Sequence, residues 1–137
     1  MKKIGIILVA IVFLIIVLYS SKDVLGQNYT YKGENELWTA EYKVNVTKAF
    51  TDTKLTVSFK KDLSEISSVK HFEISYESSA GGGKLTSDFD SNNPLNQKTY
   101  TLKSNSSGGA IVNKDEIIKV NINLDGKMET IELKNAN

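Results

Sequence analysis

Most of the chain alternates between hydrophobic and polar residues, which is the pattern of β-strands with one buried and one exposed face. From residue 38 to residue 46 the even positions are Trp, Ala, Tyr, Val and Val, and the odd positions between them are polar. The alternation recurs at residues 54–60 and 71–77 and, over shorter stretches, at 85–89 and 100–102. The pattern therefore predicts a series of short strands whose hydrophobic faces share one core.

The C-terminal segment predicts a β-hairpin with a defined register. Two alternating runs flank Asp125-Gly126. Asp-Gly between strands favours a two-residue type I′ turn, in which both residues have positive φ. Apolar side chains then meet apolar partners across the hairpin, and a slip by one residue would bring polar side chains into the core. The predicted pairs are Leu124–Lys127, Val120–Ile131 and Ile118–Leu133.

Seven to nine short strands, joined by turns rich in Gly, Asn, Asp and Ser, predict an all-β fold, namely an antiparallel immunoglobulin-like β-sandwich. A small closed barrel is the alternative. No segment after residue 35 has the period of an amphipathic helix, and at most Leu63 to Ser67 forms one helical turn. The cysteine–tryptophan–cysteine framework of antibody domains is absent, so "immunoglobulin-like" describes the architecture alone.

The N-terminus differs from the rest because it is almost entirely hydrophobic. Lys2 and Lys3 precede sixteen residues without a charge, of which thirteen are Ile, Leu, Val or Phe. As a helix this run would extend about 24 Å, slightly long for a signal peptide and slightly short for a membrane span. Tyr19 suits the headgroup layer and Lys22 can extend to it. Residues 1–22 therefore predict one N-terminal hydrophobic helix that anchors the protein in the membrane, and a cleaved signal peptide is the alternative.

Either leader would place the rest of the chain on the extracytoplasmic side of the membrane. We expect residues 23–34 to form a linker and residues 35–137 to form the exported domain. The domain would be tethered to the cell membrane by a single span, or secreted if the leader is removed. The chain contains no cysteine, and a domain of about 110 residues can bury a core without disulfides.

Charge and composition exclude several functional classes. From Lys22 onward the chain has fifteen lysines and sixteen acidic residues, and the two signs are interspersed. Nucleic-acid binding needs a concentrated basic patch, so no nucleic acid partner is expected. The chain lacks arginine, and with it the bidentate capture of phosphate or carboxylate. Without cysteine, and with a single histidine, the usual zinc ligands are missing, and we predict no metal site and no cofactor.

Two glycine-rich segments are the main candidates for a ligand-binding site. SSAGGGK, residues 78–84, lacks the glycine spacing and the following helix of a phosphate-binding loop. We expect a flexible hairpin loop, or else a mobile binding loop, because glycines let a partner approach the backbone closely. NSSGG, residues 105–109, is a second such loop, and the two could share one rim. The candidate residues are Ser79, Gly81, Gly82, Gly83, Ser107, Gly108 and Gly109. Alanine at the three consecutive glycines is expected to weaken binding while barely changing the melting temperature.

A polar segment and the single histidine are weaker candidates for a functional site. DFDSNN, residues 88–93, resembles the opening of a calcium-binding loop, but Asn93 and Thr99 occupy the positions of its glycine and glutamate. A polar loop is the default interpretation, and an irregular calcium site is the alternative. His71 is predicted to be a solvated residue on the outward face of a strand. A general base needs an orienting partner and a nucleophile within reach, and no serine of this chain lies in a nucleophile-elbow context. We therefore expect no enzymatic activity, and an unrecognised hydrolase is the weakest hypothesis.

The segment GENELW, residues 33–38, marks the start of the alternation. Gly33 and Asn35 allow the chain to turn, and the two glutamates keep the corner solvated. Trp38 then begins the first strand of the core. Burial in the core is the favoured interpretation of Trp38. An exposed tryptophan that stacks on a glycan or peptide is the alternative, and makes Trp38 a further candidate ligand-binding residue.

Several short motifs carry a family resemblance over about residues 31 to 134. They are Gly33–Trp38, Ala80–Gly83, Ser107–Ala110, the acidic pair Asp115-Glu116, Ile118–Val120 and Asp125–Lys127. In these the chain resembles a family of uncharacterised lipoproteins and membrane-anchored proteins of low-GC Gram-positive bacteria, whose exported domain begins with a GESENW-like segment. The chain departs in having Leu37 where the family has asparagine, and in lacking a lipid-bearing cysteine. The resemblance implies a cell-surface location and an all-β fold, and no particular activity.

Together these observations predict a membrane-anchored, extracytoplasmic binding module that is not an enzyme. It would attach to the membrane through its N-terminal helix, and its partner would be an unknown protein or a cell-wall glycan. The alternative is an inhibitor or immunity protein that blocks a cell-wall-active enzyme or toxin. That alternative predicts tight one-to-one binding to a single enzyme.

Overall fold

The computed structural model describes residues 26–109 and 111–137, which form eight strands and one short 3₁₀ turn. The helix predicted over residues 1–22 lies outside these residues. Within the described residues, no helix is long and apolar enough to span a membrane. The strands are β1 (Gln27–Glu34), β2 (Trp38–Val46), β3 (Phe50–Phe59), β4 (His71–Ser78), β5 (Gly81–Asp88), β6 (Thr99–Ser107), β7 (Ile118–Leu124) and β8 (Lys127–Asn135), and the 3₁₀ turn is Leu63–Glu65.

All eight strands belong to one antiparallel sheet, in the order β5-β4-β7-β8-β1-β2-β3-β6. β8 joins its two halves, since it pairs with β7 along most of its length and with β1 through Lys134 and Asn135. The sheet is barrel-like because its outer strands, β5 and β6, approach each other near Gly83 and Leu102. The prediction of an all-β, antiparallel fold is confirmed. The immunoglobulin-like sandwich is not confirmed, because one continuous sheet forms the domain.

The β7–β8 hairpin has the predicted register, and all three predicted cross-strand pairs are present. Asp125 and Gly126 have φ angles of 51° and 89°, as a type I′ turn requires. The sequence predicts this element in full because the signal is local: a two-residue turn fixes which residues face each other.

β1 lies inside the segment that the sequence predicts to be a linker. It pairs with β2 along its whole length, from Gln27 opposite Val46 to Glu34 opposite Thr39. Its alternation is weak, since lysine, glycine and glutamate occupy the last three of its eight positions. Gly33 has a structural role within it, because a Cβ there would lie 2.1 Å from the carbonyl oxygen of Glu132. The sheet therefore begins before residue 35.

The β1–β2 turn explains the composition of GENELW. The side-chain oxygen of Asn35 accepts hydrogen bonds from the backbone N–H of Leu37, at 2.9 Å, and of Trp38, at 2.8 Å. Such bonds are a usual role of asparagine in turns. Glu34 forms an ion pair with Lys60, with 3.2 Å between its Oε2 and the lysine Nζ. The turn thus joins two paired strands.

Aromatic side chains fill the interior near the start of β2. Trp38 is fully buried, with its ring centroid 5.0 Å from that of Phe59 and 6.0 Å from that of Phe72. Phe72 in turn lies 4.5 Å from Tyr100, so that β2, β3, β4 and β6 all meet here. The burial of Trp38 agrees with the core interpretation and leaves no indole face exposed to a ligand.

Two connecting segments add apolar side chains to the same core. The helical turn predicted near Leu63 is present as the 3₁₀ turn, and Ile66, directly after it, is buried. Leu95, which follows Pro94 in the long β5–β6 connection, is also buried. Because these residues belong to the core, neither connection is a freely moving loop along its whole length.

Candidate functional site

The first glycine-rich segment is part of a hairpin, as the sequence predicts, but a two-residue turn replaces the expected flexible loop because the glycines belong to β5. β4 continues to Ser78 and β5 begins at Gly81, so only Ser79 and Ala80 form the turn. Gly82 and Gly83 pair with residues of β4 across the antiparallel ladder. A Cβ at Gly82 would lie 2.7 Å from the carbonyl oxygen of Tyr76, and a Cβ at Gly83 would lie 3.0 Å from the ring of Tyr76. Gly82 and Gly83 therefore permit close packing within the sheet.

The turn before these glycines is held by Glu116. Both carboxylate oxygens of Glu116 accept hydrogen bonds from the Ser79 backbone N–H, at 3.0 and 3.2 Å, and Oε2 also accepts one from Ser79 Oγ at 2.7 Å. Ser78 Oγ donates to the Gly81 carbonyl at 2.7 Å and lies 2.9 Å from the hydroxyl of Tyr42. The backbone N–H and the hydroxyl of Ser79 thus both form hydrogen bonds within the protein.

Tyr42 brings a buried phenol to this turn. Burial raises the pKa of Tyr42 to about 12, although the hydrogen bond with Ser78 acts in the opposite direction. A phenol with this pKa stays protonated at neutral pH and acts as a hydrogen-bonding group. Tyr42 therefore stabilises the turn through its hydroxyl.

The second glycine-rich segment is fixed to the β2–β3 turn. Ser107 is the last residue of β6 and pairs with Phe50 at the start of β3. The Gly108 N–H donates to the Ala49 carbonyl at 2.8 Å. A Cβ at Gly109 would lie 2.6 Å from the backbone oxygen of Thr47. The two glycine-rich segments are therefore held by different parts of the chain.

The remaining polar candidates are engaged with near neighbours. Asp88 Oδ1 lies 2.6 Å from Nδ1 of His71, and the Asp90 carboxylate accepts from the backbone N–H of Asn92 and Asn93 at 2.9 and 2.8 Å. Within DFDSNN, Asp88 thus contacts the outward-facing His71, and Asp90 forms a polar turn with Asn92 and Asn93. No group of three or more His, Cys, Asp or Glu residues positioned to hold a metal ion occurs in the part of the chain that is described.

A further surface, which the sequence alone does not reveal, lies on the outer side of four strands, β1, β2, β3 and β6. The outward side chains of these strands form transverse rows, because each strand is paired in register with the next. We call this surface the outer face. Two grooves of about 730 and 540 Å³ lie on it. Its four outward rows are Glu34-Thr39-Ser58-Thr99, Lys32-Glu41-Thr56-Thr101, Thr30-Lys43-Lys54-Lys103 and Asn28-Asn45-Asp52-Asn105.

The third of these rows, which we call the lysine row, places like charges side by side. Lys43 is directly opposite Lys54, and Lys54 is directly opposite Lys103. Like charges at directly opposite positions destabilise a sheet. Glu41 compensates Lys43, with 3.4 Å between Oε1 and Nζ, but it also pairs with Lys32 at 3.5 Å. Among the described residues, Lys54 and Lys103 form no ion pair with an acidic side chain.

The row beyond the lysines is rich in side-chain amides. Asn45 and Asn105 flank Asp52 on the neighbouring strands, and the Asn105 amide donates to the Asp52 carboxylate. The Asn45 side-chain oxygen is buried and has no hydrogen-bond partner within the described residues. The larger groove therefore has cationic groups along one side and amide groups along the other.

The alternation alone predicts that all three lysines point outward. It does not predict that they are neighbours, because that depends on the pairing of β3 with β6, whose partners lie about 50 residues apart in the chain. In each of the three strands a lysine occupies the third outward position, but this regularity reveals a row only once the strand bounds and their pairing are known.

Comparisons of this chain with protein-family models, with curated proteins and with solved structures found no match.

Proposed function

We propose that this protein is a membrane-anchored, extracytoplasmic binding module that recognises a protein or a glycan without catalysing a reaction. The hydrophobic leader over residues 1–22 would supply the anchor. The eight-stranded domain would supply the binding surface, and the outer face is the part of it that suits this role best.

The observation that carries the proposal is the preformed polar surface on the outer face. Its side chains stand on four consecutive strands that pair in register, so their spacing is set by the backbone ladder. Binding groups on a rigid scaffold lose little conformational freedom when a partner arrives. The smaller groove is lined by Thr39, Glu41, Thr56 and Ser58 among others, which offer hydroxyl and carboxylate groups for hydrogen bonds.

The glycine-rich segments contribute to this proposal in a different way from that expected. Because Gly82 and Gly109 adjoin backbone oxygens, side chains at these positions would disturb the fold. A loss of binding in such variants would therefore not identify a binding site. Substitutions on the outer face provide a cleaner test, since these side chains point away from the core.

The partner can be sought with a C-terminal tag on the full chain, expressed in its native host and crosslinked in intact cells. We expect Thr56→Lys to abolish capture of the crosslinked partner, because a long charged side chain would fill the smaller groove. The matched control is Thr86→Lys, on the exposed side of β5 and outside both grooves. Equal capture by the two variants would exclude the outer face as the binding surface.

The location can be tested with the same tagged protein. We expect the tag to be accessible to a protease in cells whose wall has been removed, while the protein sediments with the membrane. The mass of the membrane-bound product decides between an uncleaved anchor and a removed signal peptide. A tag that is protected in such cells, or a product in the soluble intracellular fraction, would contradict the proposed topology.

A further inference from the structure

The chain enters the sheet beside the β2–β3 turn. A Cβ at Gly26 would lie 2.6 Å from the carbonyl oxygen of Val46 and 3.0 Å from the side chain of Thr47. Only residues 23–26 separate the hydrophobic leader from β1. We call this end of the sheet, with the β2–β3 turn and the adjoining Gly108–Gly109, the leader-proximal end.

Two large apolar side chains are exposed next to this end. Phe50 begins β3 and is 36% exposed, while Ile111, two residues after Gly109, is 92% exposed. Aromatic and aliphatic side chains of this kind are favoured in the interfacial layer of a membrane. Their position beside the point where the leader joins the sheet suggests a partner that lies on that side of the domain.

The lysine row lies close to the same end. Lys43 precedes Val46 by three residues, which corresponds to about 10 Å along a strand. Lys54 and Lys103 occupy the same row on the next two strands. A lysine can keep its stem along the protein while its ammonium group extends toward a polar layer. An anionic surface at the leader-proximal end would therefore neutralise charges that the described protein leaves unpaired.

We propose that the leader-proximal end docks on the anionic lipid surface in which the leader is anchored. Phe50 and Ile111 enter the interfacial layer, and Lys54 and Lys103 approach the lipid phosphates. The smaller groove, which lies farther along the strands from this end, stays open to a partner. This inference rests on the proposed membrane anchoring and adds a second, electrostatic contact to it.

A lipid surface is favoured over a soluble anionic glycan because of the short connection to the leader. A domain tethered by a few residues experiences a high effective concentration of the surface that holds its tether. Weak contacts then suffice for docking, and each lysine near an anionic membrane contributes appreciably to the free energy of binding. A soluble glycan has no such advantage, and it gives no reason for exposed apolar side chains.

The absence of cysteine allows a site-specific test with the full chain. A fluorophore attached through Ala49→Cys reports on the β2–β3 turn, and one attached through Met128→Cys reports on the opposite end of the sheet. Met128 is a suitable control position because it is also a large apolar residue that is 57% exposed. The labelled proteins are reconstituted into vesicles of phosphatidylglycerol or of phosphatidylcholine that contain a lipid-bound quencher. We expect quenching of the label at position 49 in the phosphatidylglycerol vesicles and little quenching at position 128.

Two sets of substitutions test which residues are responsible. We expect Lys54→Gln with Lys103→Gln to lower the ratio of docked to undocked protein by about tenfold or more in phosphatidylglycerol vesicles. The matched control, Lys119→Gln with Lys127→Gln, makes the same change of charge on β7 and β8 and should leave quenching unchanged. Phe50→Ser with Ile111→Ser should reduce quenching in both kinds of vesicle. The lysine variant should melt at the same temperature as the parent in neutral detergent, or at a higher one, because repulsion within the sheet is relieved.

The possible results separate docking from anchoring. Flotation of the full chain with vesicles reports on the leader, whereas quenching at position 49 reports on the domain. Flotation without quenching, or equal quenching at positions 49 and 128, overturns docking and leaves the anchor in place. Failure to float overturns both. Lysine-dependent binding of a galacturonic acid oligomer without quenching would assign the lysine row to a soluble anionic glycan, and would also overturn docking.

Discussion

At Gly33 the strands β1 and β8 lie so close together that a side chain would meet the backbone of β8. A Cβ at this position would lie 2.1 Å from the Glu132 carbonyl oxygen and 2.9 Å from both the carbonyl carbon of that residue and the Leu133 side chain. Backbone atoms cannot move aside as the end of a flexible side chain can. The junction between the two halves of the sheet thus depends on the absence of a side chain at one residue.

We predict that Gly33→Ala lowers the free energy of unfolding by about 2–3 kcal/mol, the upper part of the range for overpacking, because the opposing backbone atoms cannot relax. Urea denaturation of the purified protein measures this change. Lys32→Ala is the neighbouring control, since the Lys32 side chain is exposed and its ion pair with Glu41 lies at the surface. A similar loss of stability in both variants would mean that β1 tolerates a side chain at position 33.

Gly82 provides a second prediction, which reverses the expectation from the sequence. Because its Cβ would lie 2.7 Å from the Tyr76 carbonyl oxygen, we expect Gly82→Ala to lower the free energy of unfolding by about 1–3 kcal/mol. Thr86→Ala, at an exposed position on the same strand, should change it by less than about 0.5 kcal/mol. An unchanged melting temperature in Gly82→Ala would restore the interpretation of this segment as a flexible loop.

At the scale of the elements, the β7–β8 turn is connected to the start of β4 through Asp125. The Asp125 carboxylate accepts hydrogen bonds from the backbone N–H of His71, at 2.7 Å, and of Lys70, at 3.1 and 3.2 Å. The Asp125 backbone N–H donates to the His71 carbonyl at 2.9 Å. One residue therefore serves both the local turn and the neighbouring strand.

We predict that Asp125→Ala lowers the free energy of unfolding by about 2–3 kcal/mol, since it removes an acceptor from two backbone N–H groups and places alanine at positive φ. Asp125→Asn should cost less than half as much. Asparagine tolerates the same backbone conformation and keeps a side-chain oxygen, although it lacks the charge. Equal stability of the two variants in urea denaturation would show that the side-chain hydrogen bonds contribute little.

The sequence predicts those elements that are specified locally. The β7–β8 hairpin follows from Asp125-Gly126 and two alternating runs, and the burial of Trp38 follows from the clear alternation of β2. β1 could not be predicted in this way, because a strand with lysine, glycine and glutamate at its end resembles a polar linker. It becomes a strand because β2 and β8 flank it and supply hydrogen-bond partners to both of its edges. Tertiary context here overrides the weak local pattern.

The candidate site shows the same division between local and distant information. A run of three glycines indicates a loop when only local conformational freedom is considered. In the structure these glycines form a strand, and Gly82 and Gly83 pack against Tyr76, a partner that local reasoning does not specify. The lysine row is likewise invisible until β2, β3 and β6 are known to be neighbours. Pairing between distant strands thus determines both the function of the glycines and the composition of the outer face.

At the scale of the whole molecule, tyrosine hydroxyls connect the core to its surroundings. The Tyr31 hydroxyl donates to the Asn113 carbonyl at 2.8 Å, and that of Tyr42 bonds with Ser78. The Tyr100 hydroxyl is buried without a hydrogen-bond partner among the described residues. Burial raises the pKa of all three phenols. The fold therefore favours the protonated form of these three tyrosines.

The raised pKa of Tyr42 predicts a measurable loss of stability at alkaline pH. Tyr42 has a pKa of about 12 in the folded protein, compared with the ordinary tyrosine value of 10.0. The unfolded chain therefore loses this proton first as the pH rises. The stability that Tyr42 contributes is fully present below about pH 10 and is lost between about pH 10 and 12, with a total on the order of 2 kcal/mol. Urea denaturation at a series of pH values should show stability falling across this range.

Tyr42→Phe separates this effect from alkaline denaturation in general. The variant should be less stable than the parent by about 0.5–1.5 kcal/mol near pH 8, because it lacks one hydrogen bond. Ser78 still donates to the Gly81 carbonyl and accepts from the Ala80 N–H, so the turn keeps its other bonds. Above about pH 10 the variant should lose stability with a shallower slope than the parent, since one fewer buried phenol titrates. Identical slopes for the two proteins would show that the Tyr42 phenol does not couple folding to pH, and the alkaline transition would then be due to other groups.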